Sequence, residues 1–407
     1  MRVNAQAGCR GCQGGSKVQI RVGLAVALVV CSGTAVSAEC GGDFGTFLDG
    51  LRAEAVASGL PEPVAADFLS GVRQDPAVLK ADRSQGVFRK TFIDFSRAVI
   101  SANRIENGAA NAQRHAETLG RARADYGVSP GVLLAFWALE TDYGQVQGDF
   151  NTANALVTLA HDCRRPELFR PEVLAAMELF ARGDFDPDTT TGAWAGEIGM
   201  VQMLPDDILR NGVDGDGDGH VRLKTSPPDA LLSGARVLQS LGWRAGEPWL
   251  QEVTVPDTLD WASTGLNHQR PASEWQALGV TGRHGPLAGD LPASIVLPMG
   301  RKGPAFLAYP NFRVYFEWNQ SFVYVTTAAY FATRLEGAPP YDPRNPDPGL
   351  GPDEMKRLQE KLSARGHDVG KIDGILGQKT RDAVQAEQQR LGLPADAWPT
   401  PELLSAL

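Results

Sequence analysis

The sequence predicts a mainly α-helical protein with a small irregular or β insertion and a separate C-terminal module of three short helices. From residue 39 to about residue 180, apolar residues recur at spacings of three and four, which is typical of amphipathic helices. From residue 184 to about residue 310 the chain is richer in glycine and proline and has only short periodic segments. The apolar fraction of 43% is normal for a globular protein with its own core.

The first 38 residues differ in composition from the rest of the chain. They contain Arg2, Arg10, Lys17 and Arg21 and no acid, followed by the apolar run 22–30 and the small-residue sequence "AVSA". This order predicts a secretory signal peptide, residues 1–38, cleaved near Ala38. The apolar run is too short to span a bilayer. We therefore expect a periplasmic protein without a membrane span.

The net charge excludes one large class of partners. The formal charge is −9, and removal of the four basic residues of the signal gives −9 − 4 = −13. A nucleic-acid-binding protein needs a basic face, so nucleic acid is not an expected partner. We expect a monomer.

Two cysteines remain after the signal is removed, Cys40 and Cys163. In an oxidising compartment, two cysteines favour one disulfide. The alternative is two separate free thiols.

The predicted domains are 39–336, a helical domain; 337–352, a linker; and 353–407, a C-terminal module. The linker contains six prolines, a density that no packed element tolerates, so it should be extended and semi-rigid. The last helix before it is predicted over "FVYVTTAAYFATRL".

One carboxylate, Glu140, follows a run in which every residue from 132 to 139 is apolar. Ser129 and Pro130 favour a helix start, so the run predicts a buried helix from Gly131 to about Glu140. Desolvation and the negative pole of the helix C-terminus both disfavour the ionised carboxylate. Glu140 is therefore a candidate proton donor. The alternative is a surface glutamate where the helix emerges from the core.

Several blocks resemble the lytic murein transglycosylases, specifically the membrane-bound lytic murein transglycosylase B type, over roughly residues 40–335. The most specific are the Glu-Thr-x-aromatic-Gly block that begins at Glu140 and the Ala-Gly-x-hydrophobic-Gly-x-x-Gln block that begins at Ala195. Further matching blocks are "RIENG", "YGV", "DGDGDGH" and "NFRVYFEWNQSFVY".

The resemblance implies a lysozyme-like α-helical catalytic core that cleaves the MurNAc-β-1,4-GlcNAc bond of peptidoglycan. The muramyl O6, not water, would close on C1 and leave a 1,6-anhydromuramyl end, with Glu140 acting first as acid and then as base. This agrees with the residues, because ordinary glycosidases need two carboxylates and only one has a strong case here. The alternatives are a muramidase that hydrolyses the same bond and a non-catalytic wall-binding protein.

The resemblance also implies substrate-binding residues, each with an alternative. Gln202 would line the cleft or cap a tight loop, and Tyr143 would contact substrate or belong to the core. Asn319 and Tyr324 would contact sugar or orient the acid. The alternative for both residues is a role in strand-and-helix packing alone. The full set of candidates is Gln202, Tyr143, Asn319, Tyr324, Arg164, Arg165 and Glu197.

The basic pair Arg164 and Arg165 would bind a peptide-stem or lactyl carboxylate, or would be a solvated charge pair. Three residues depart from the family pattern: Ala193, where serine is common, Glu197, where a small residue is usual, and Trp318, where tyrosine is usual. Glu197 is the best candidate second carboxylate if the reaction were hydrolysis.

The C-terminal module resembles the peptidoglycan-binding domain type 1, which implies peptidoglycan glycan strands as the partner. Glu387 and Ala397 stand where that family usually has Phe and Gly. Binding could therefore be weaker than usual, and the alternative is a structural cap without a ligand.

The stretch "DGDGDGH" has the start of an EF-hand loop, with Asp214, Asp216 and Asp218 alternating with glycines. We predict one structural Ca²⁺, bound by these carboxylates, the carbonyl of His220 and Asp229. No cofactor is expected to take part in the chemistry. The alternative is a surface turn without metal.

Overall fold

The computed structural model describes residues 40–84 and 90–407, and the predicted signal peptide lies outside this range. Helices dominate, as predicted. The first nine are α1 (Phe44–Ala57), α2 (Glu62–Ser70), α3 (Pro76–Arg83), α4 (Phe92–Val99), α5 (Ala102–Arg114), α6 (Ala116–Tyr126), α7 (Pro130–Thr141), α8 (Thr152–His161) and α9 (Pro166–Arg182). The others are α10 (Pro205–Asn211), α11 (Pro227–Ser240), α12 (Ala272–Ala277), α13 (Pro310–Trp318), α14 (Phe322–Leu335), α15 (Pro352–Ala364), α16 (Gln378–Arg390) and α17 (Pro401–Ala406).

Many helix starts follow from local capping chemistry. The side chains of Asp43, Asp75, Thr91 and Ser101 each accept a hydrogen bond from a backbone N–H in the first turn of the helix that follows. Such a bond satisfies one of the amides that a helix leaves without an internal partner.

The glycine- and proline-rich region contains the β insertion. Its five antiparallel strands are hydrogen-bonded in the order β4-β6-β7-β3-β5. These strands are β3 (Leu250–Thr254), β4 (Arg270–Pro271), β5 (Thr281–Gly282), β6 (Pro292–Val296) and β7 (Phe306–Ala308). Leu307 at the centre pairs with both Gln251 and Ile295, and it lies in a small core with Trp275 and Tyr309. Two shorter strands, β1 (Phe150–Asn151) and β2 (Thr191–Gly192), form a separate antiparallel pair.

The main core surrounds α7, whose apolar side chains from Val132 to Ala138 are buried on all sides of the helix. Its closest partner is α14. At Gly131 the two helices approach so closely that a Cβ would lie 2.6 Å from the carbonyl oxygen of Ala332, so no larger residue fits without displacing the backbone. Glu140 is thus carried on a helix that is held in place along its whole length.

The chain before α1 is attached to the helical domain. Cys40 and Cys163 form a disulfide with their Cα atoms 5.1 Å apart. The N–H of Gly41 also donates to the carbonyl of His161 at 2.8 Å. The predicted pairing is therefore the one found in the structure.

The proline-rich linker is extended and packs on the helical domain. Residues 338–351 contain no helix or strand. The hydroxyl of Tyr341 lies 2.8 Å from that of Ser96, and the indole Nε1 of Trp398 donates to the carbonyl of Asp347 at 2.9 Å. The linker thereby holds the C-terminal module close to the rest of the protein.

The C-terminal module has the three predicted helices, α15 to α17, around its own small core. This core includes Met355, Leu358, Leu362, Val384 and Leu403. None of the helices within residues 40–84 and 90–407 has the length and apolarity that a bilayer crossing requires.

Candidate active site

Glu140 lies in the last turn of α7, where the helix leaves the core, and it is partly exposed. The helix ends because Asp142 and Tyr143 adopt left-handed backbone conformations, with φ of 51° and 59°. The N–H of Asp142 still donates to the carbonyl of Ala138, as in a common helix C-cap. The acid is therefore accessible while its backbone is fixed.

Two buried side chains hold the carboxyl group of Glu140. The indole Nε1 of Trp318 donates to Oε1 of Glu140 at 3.0 Å, and the hydroxyl of Tyr324 donates to the same oxygen at 2.5 Å. An indole N–H can only donate, so Oε1 must act as an acceptor. Both donors therefore meet at the same carboxyl oxygen, Oε1.

The elements that deliver these donors meet at one end of the protein. Trp318 is the last residue of α13, and Tyr324 lies in the first turn of α14. Trp318 is 2% exposed and packs against Phe136 of α7, with the ring centroids 4.3 Å apart and the ring planes tilted by 32°. The role of Trp318 as a partner of the acid was not predicted. The only signal was its departure from the family's usual tyrosine.

Gln202 lies on the loop that faces the end of α7. The hydroxyl of Thr141 joins the loop to the helix by donating to the carbonyl of Met200 at 2.7 Å. Gln202 has a left-handed backbone with φ of 52°, and its Nε2 donates to the carbonyls of Gly199 at 2.9 Å and Gln147 at 3.3 Å. These bonds match the loop-capping alternative and leave the amide oxygen for other partners.

Tyr143 belongs to the core, which was the alternative to substrate binding. Its side chain is 8% exposed, and its hydroxyl donates to the carbonyl of Arg104 at 2.7 Å. Burial raises the pKa of the phenol well above its usual range. The prediction that Tyr143 contacts substrate therefore needs correction, because both its ring and its hydroxyl are used internally.

Glu197 is also buried, which corrects its assignment to the substrate surface. It is 2% exposed, and its Oε2 has no hydrogen-bond partner among the described residues. Burial raises the pKa of Glu197, and the neighbouring charge of Glu140 raises it further. A carboxyl without access to solvent is a poor base for activating water.

The basic pair has one shared partner. Arg164 donates to Oδ2 of Asp82 at 2.5 Å, and Arg165 donates to the other oxygen of the same carboxylate. The guanidinium of Arg165 also lies over the ring of Phe169, 5.2 Å from its centroid. Of the two arginines, only Arg164 lines the large cavity between the helical domain and the C-terminal module.

A cavity of about 1030 Å³ lies between the helical domain and the C-terminal module. The helical domain contributes Arg164, Trp194 and Asn319 to its wall, and the module contributes Lys371 and Lys379. Asn319 is adjacent in sequence to Trp318, and its Oδ1 accepts from the N–H of Ser321 at 2.9 Å. The cavity therefore begins beside the residues that hold the acid.

The acidic loop brings three carboxylates together. Oxygens of Asp214, Asp216 and Asp218 all lie within 4.8 Å of one another, a donor set that suits a hard cation such as Ca²⁺. The ring Nδ1 of His220 lies 2.9 Å from Oδ1 of Asp184. This contact involves the imidazole ring and not the backbone carbonyl of His220.

Asp229 does not join this cluster, contrary to prediction. It is 1% exposed, and its two oxygens accept the N–H groups of Gly215 at 2.8 Å and Arg222 at 2.7 Å. Asp229 closes the loop on itself by hydrogen bonds, so only the three other predicted carboxylates form the cluster.

Comparison with known proteins gives two domain matches. Residues 43–333 match the family model described as the transglycosylase SLT domain, and residues 351–407 match a peptidoglycan binding domain. Membrane-bound lytic murein transglycosylase B of Escherichia coli is 29% identical over 233 residues, which are 56% of this chain and 63% of that protein. The match thus spans less than two thirds of the relative's own length.

Solved structures are similar over more of the chain. SltB3 from Pseudomonas aeruginosa, in complex with NAG-anhNAM-pentapeptide, is 38% identical with a TM-score of 0.82, over 90% of this chain and 99% of that chain. The Escherichia coli lytic transglycosylase Slt35, in complex with calcium, is 25% identical with a TM-score of 0.62, over 74% of this chain and 96% of that chain.

Proposed function

Because the chain belongs to the transglycosylase SLT domain family and ends in a peptidoglycan binding domain, we propose that it is a peptidoglycan lytic transglycosylase. It cleaves the MurNAc-β-1,4-GlcNAc bond and forms 1,6-anhydromuramyl ends. The observation that carries this proposal is the carboxyl of Glu140, accessible and held through Oε1 by Trp318 and Tyr324. The solved relative SltB3 in complex with NAG-anhNAM-pentapeptide supports the substrate class.

The geometry supports a mechanism with a single acid/base. The carboxyl of Glu140 donates its proton to the glycosidic oxygen as the C1–O bond breaks, which leaves a carboxylate. Trp318 and Tyr324 stabilise the charge at Oε1. The 2-acetamido group of the substrate supports the cationic centre at C1. The muramyl O6 then bonds to C1 and gives its proton to Glu140, which restores the acid and consumes no water.

The position of Glu197 favours this reaction over hydrolysis. A hydrolytic enzyme would need a second carboxylate with room for water beside the substrate. Glu197 is the neighbouring candidate, but it is buried and the burial raises its pKa. It therefore lacks the access to solvent that activation of water requires.

The test is digestion of purified sacculi with mass spectrometry of the released muropeptides. The proposal expects 1,6-anhydromuramyl products, each lighter by one water than the hydrolysis product. Reducing-end muramic acid as the main product would establish a muramidase instead.

We further propose that Arg164 and Asn319 contact the substrate from the wall of the large cavity. Arg164 is 47% exposed in its side chain despite its bond to Asp82, so it can still bind a peptide-stem or lactyl carboxylate. In this proposal residues 39–336 are the catalytic domain, 337–352 the linker and 353–407 the wall-binding module. The protein is exported by the signal peptide, residues 1–38, and acts on the wall in the periplasm as a monomer.

We also propose that the loop containing Asp214, Asp216 and Asp218 binds one Ca²⁺ with the carbonyl of His220. The cluster of carboxylate oxygens and the calcium complex of the relative Slt35 support this. The ion would neutralise the mutual repulsion of the three carboxylates and hold the loop. It has no part in the proton transfers.

A further inference from the structure

A buried arginine attaches the C-terminal module to the catalytic domain. Arg381 of α16 is 4% exposed. Its Nη2 donates to the carbonyl of Pro298 at 2.8 Å, and its Nη1 donates to the carbonyl of Leu297 at 3.4 Å. Burial of a cation is costly unless it finds partners, so the contact between the two domains is organised around this side chain.

The guanidinium also lies on an aromatic ring of the catalytic domain. Its central carbon is 4.3 Å from the centroid of Phe322, a distance suited to a cation–π interaction. Burial lowers the pKa of Arg381 to about 9, which leaves the group charged at neutral pH. Phe322 is itself 5% exposed, so the stacked pair is shielded from water.

Phe322 is the first residue of α14, the helix that delivers Tyr324 to the acid. Its neighbour Ser321 caps the helix by accepting from the N–H of Tyr324 at 3.3 Å. The hydroxyl of Tyr324 then reaches Oε1 of Glu140 at 2.5 Å. A continuous set of contacts therefore runs from the module to the catalytic carboxyl.

We propose that Arg381 is a positioning residue, which holds the first turn of α14 and thereby sets Tyr324 against Glu140. The module then contributes to the rate of bond cleavage and not only to retention on the wall. This inference rests on the proposed transglycosylase function.

A second contact on the same helix provides a matched control. The Nε2 of Gln385 donates to the carbonyls of Trp261 at 3.1 Å and Thr264 at 3.0 Å, both in the catalytic domain. Gln385 therefore also joins the module to the domain, but its partners lie in the β insertion and not on α14.

The experiment measures kcat and KM of the full chain on a short soluble glycan with MurNAc and GlcNAc units, for which retention on the wall is irrelevant. We expect Arg381→Ala to lower kcat about tenfold with little change in KM, because a small displacement of a catalytic group has effects of this size or larger. Gln385→Ala should keep kcat within about twofold. If Arg381→Ala does not unfold cooperatively, Arg381→Lys replaces it, since the lysine keeps the charge but loses the planar fork.

A double-mutant cycle with Tyr324→Phe tests the route of the effect. If Arg381 acts through the tyrosine hydroxyl, its substitution should have little further effect once that hydroxyl is gone. Wild-type kcat in the Arg381 variant, or the same fold-loss with and without the Tyr324 hydroxyl, would overturn the inference. Failure of the proposed function is separate, because the wild-type enzyme would then yield no anhydro product.

Discussion

The indole Nε1 of Trp318 lies 3.0 Å from Oε1 of Glu140, and the two residues are 178 positions apart in the chain. An indole N–H can only donate, so this bond is made to a lone pair of Oε1. In the proposed mechanism it stabilises the carboxylate that exists between the two proton transfers.

Trp318→Phe should therefore lower kcat about tenfold to a hundredfold, the range for loss of a hydrogen bond to a charged group. The phenyl ring can still pack against Phe136, so the melting temperature should change little. The control is Trp243→Phe, which removes an indole N–H that donates to the carbonyl of Gly127 at 3.0 Å, away from the acid. Equal losses of kcat in both variants would assign the effect to general packing.

Glu140→Gln should reduce the rate of anhydromuropeptide formation by several orders of magnitude, because the only acid and base is lost. The amide oxygen can still accept from Trp318 and Tyr324, so the thermal midpoint should stay close to that of the wild type. The measurement is product formation from sacculi by mass spectrometry. A rate above about a tenth of the wild-type rate would show that another residue acts as the general acid.

Glu197→Gln should keep activity within about twofold at neutral pH, because an amide resembles the uncharged carboxyl that burial favours. Steady-state kinetics on the same soluble glycan decides this. Glu197→Ala serves as the comparison that removes packing as well as the carboxyl. A loss of activity in the glutamine variant as large as that in Glu140→Gln would make Glu197 part of the chemistry.

A second buried carboxyl makes stability depend on pH. Glu172 of α9 is 7% exposed and accepts from the N–H of Asp206 at 2.9 Å. Burial raises its pKa from 4.5 to about 7. Between these pH values the folded state keeps the proton that the unfolded state has lost, so stability falls as pH rises from about 4.5 to about 7.

Glu172→Gln should remove this fall in stability. The melting temperature of the variant should therefore rise relative to that of the wild type as pH increases across the same window. Glu178→Gln, a substitution of an exposed glutamate on the same helix, should keep the wild-type slope. Thermal unfolding at several pH values measures both. Parallel curves for the wild type and Glu172→Gln would contradict the prediction.

Calcium should raise the thermal midpoint by a few degrees at about 10 mM, for a dissociation constant on the order of 10⁻⁴ to 10⁻³ M. Asp216→Asn should lose most of this shift, whereas Asp257→Asn, at an exposed position outside the loop, should keep it. The reference is the wild type in chelator. Equal thermal midpoints with calcium and with chelator would show that the loop is a hydrogen-bonded turn that binds no calcium.

Features that depend on neighbours in sequence could be predicted. The helix that carries Glu140 follows from a Ser-Pro start and an unbroken apolar run, and it was expected from Gly131 to about Glu140 and found as Pro130–Thr141. The helix over Phe322–Leu335 has the predicted bounds. The helix Pro310–Trp318 was not predicted, although it delivers Trp318 to the acid.

What the sequence determined by itself was the candidate acid, its helix, the family resemblance and the division into a larger helical domain and a small C-terminal module. The tertiary structure alone decided which way side chains point from those elements. It put Tyr143 and Glu197 inside the core and turned both oxygens of Asp229 toward backbone amides. It also brought Trp318 onto Glu140 and Arg381 onto Phe322. The physical reason is that helix periodicity and capping act over a few residues, whereas burial and hydrogen-bond partners depend on how elements far apart in the chain pack together.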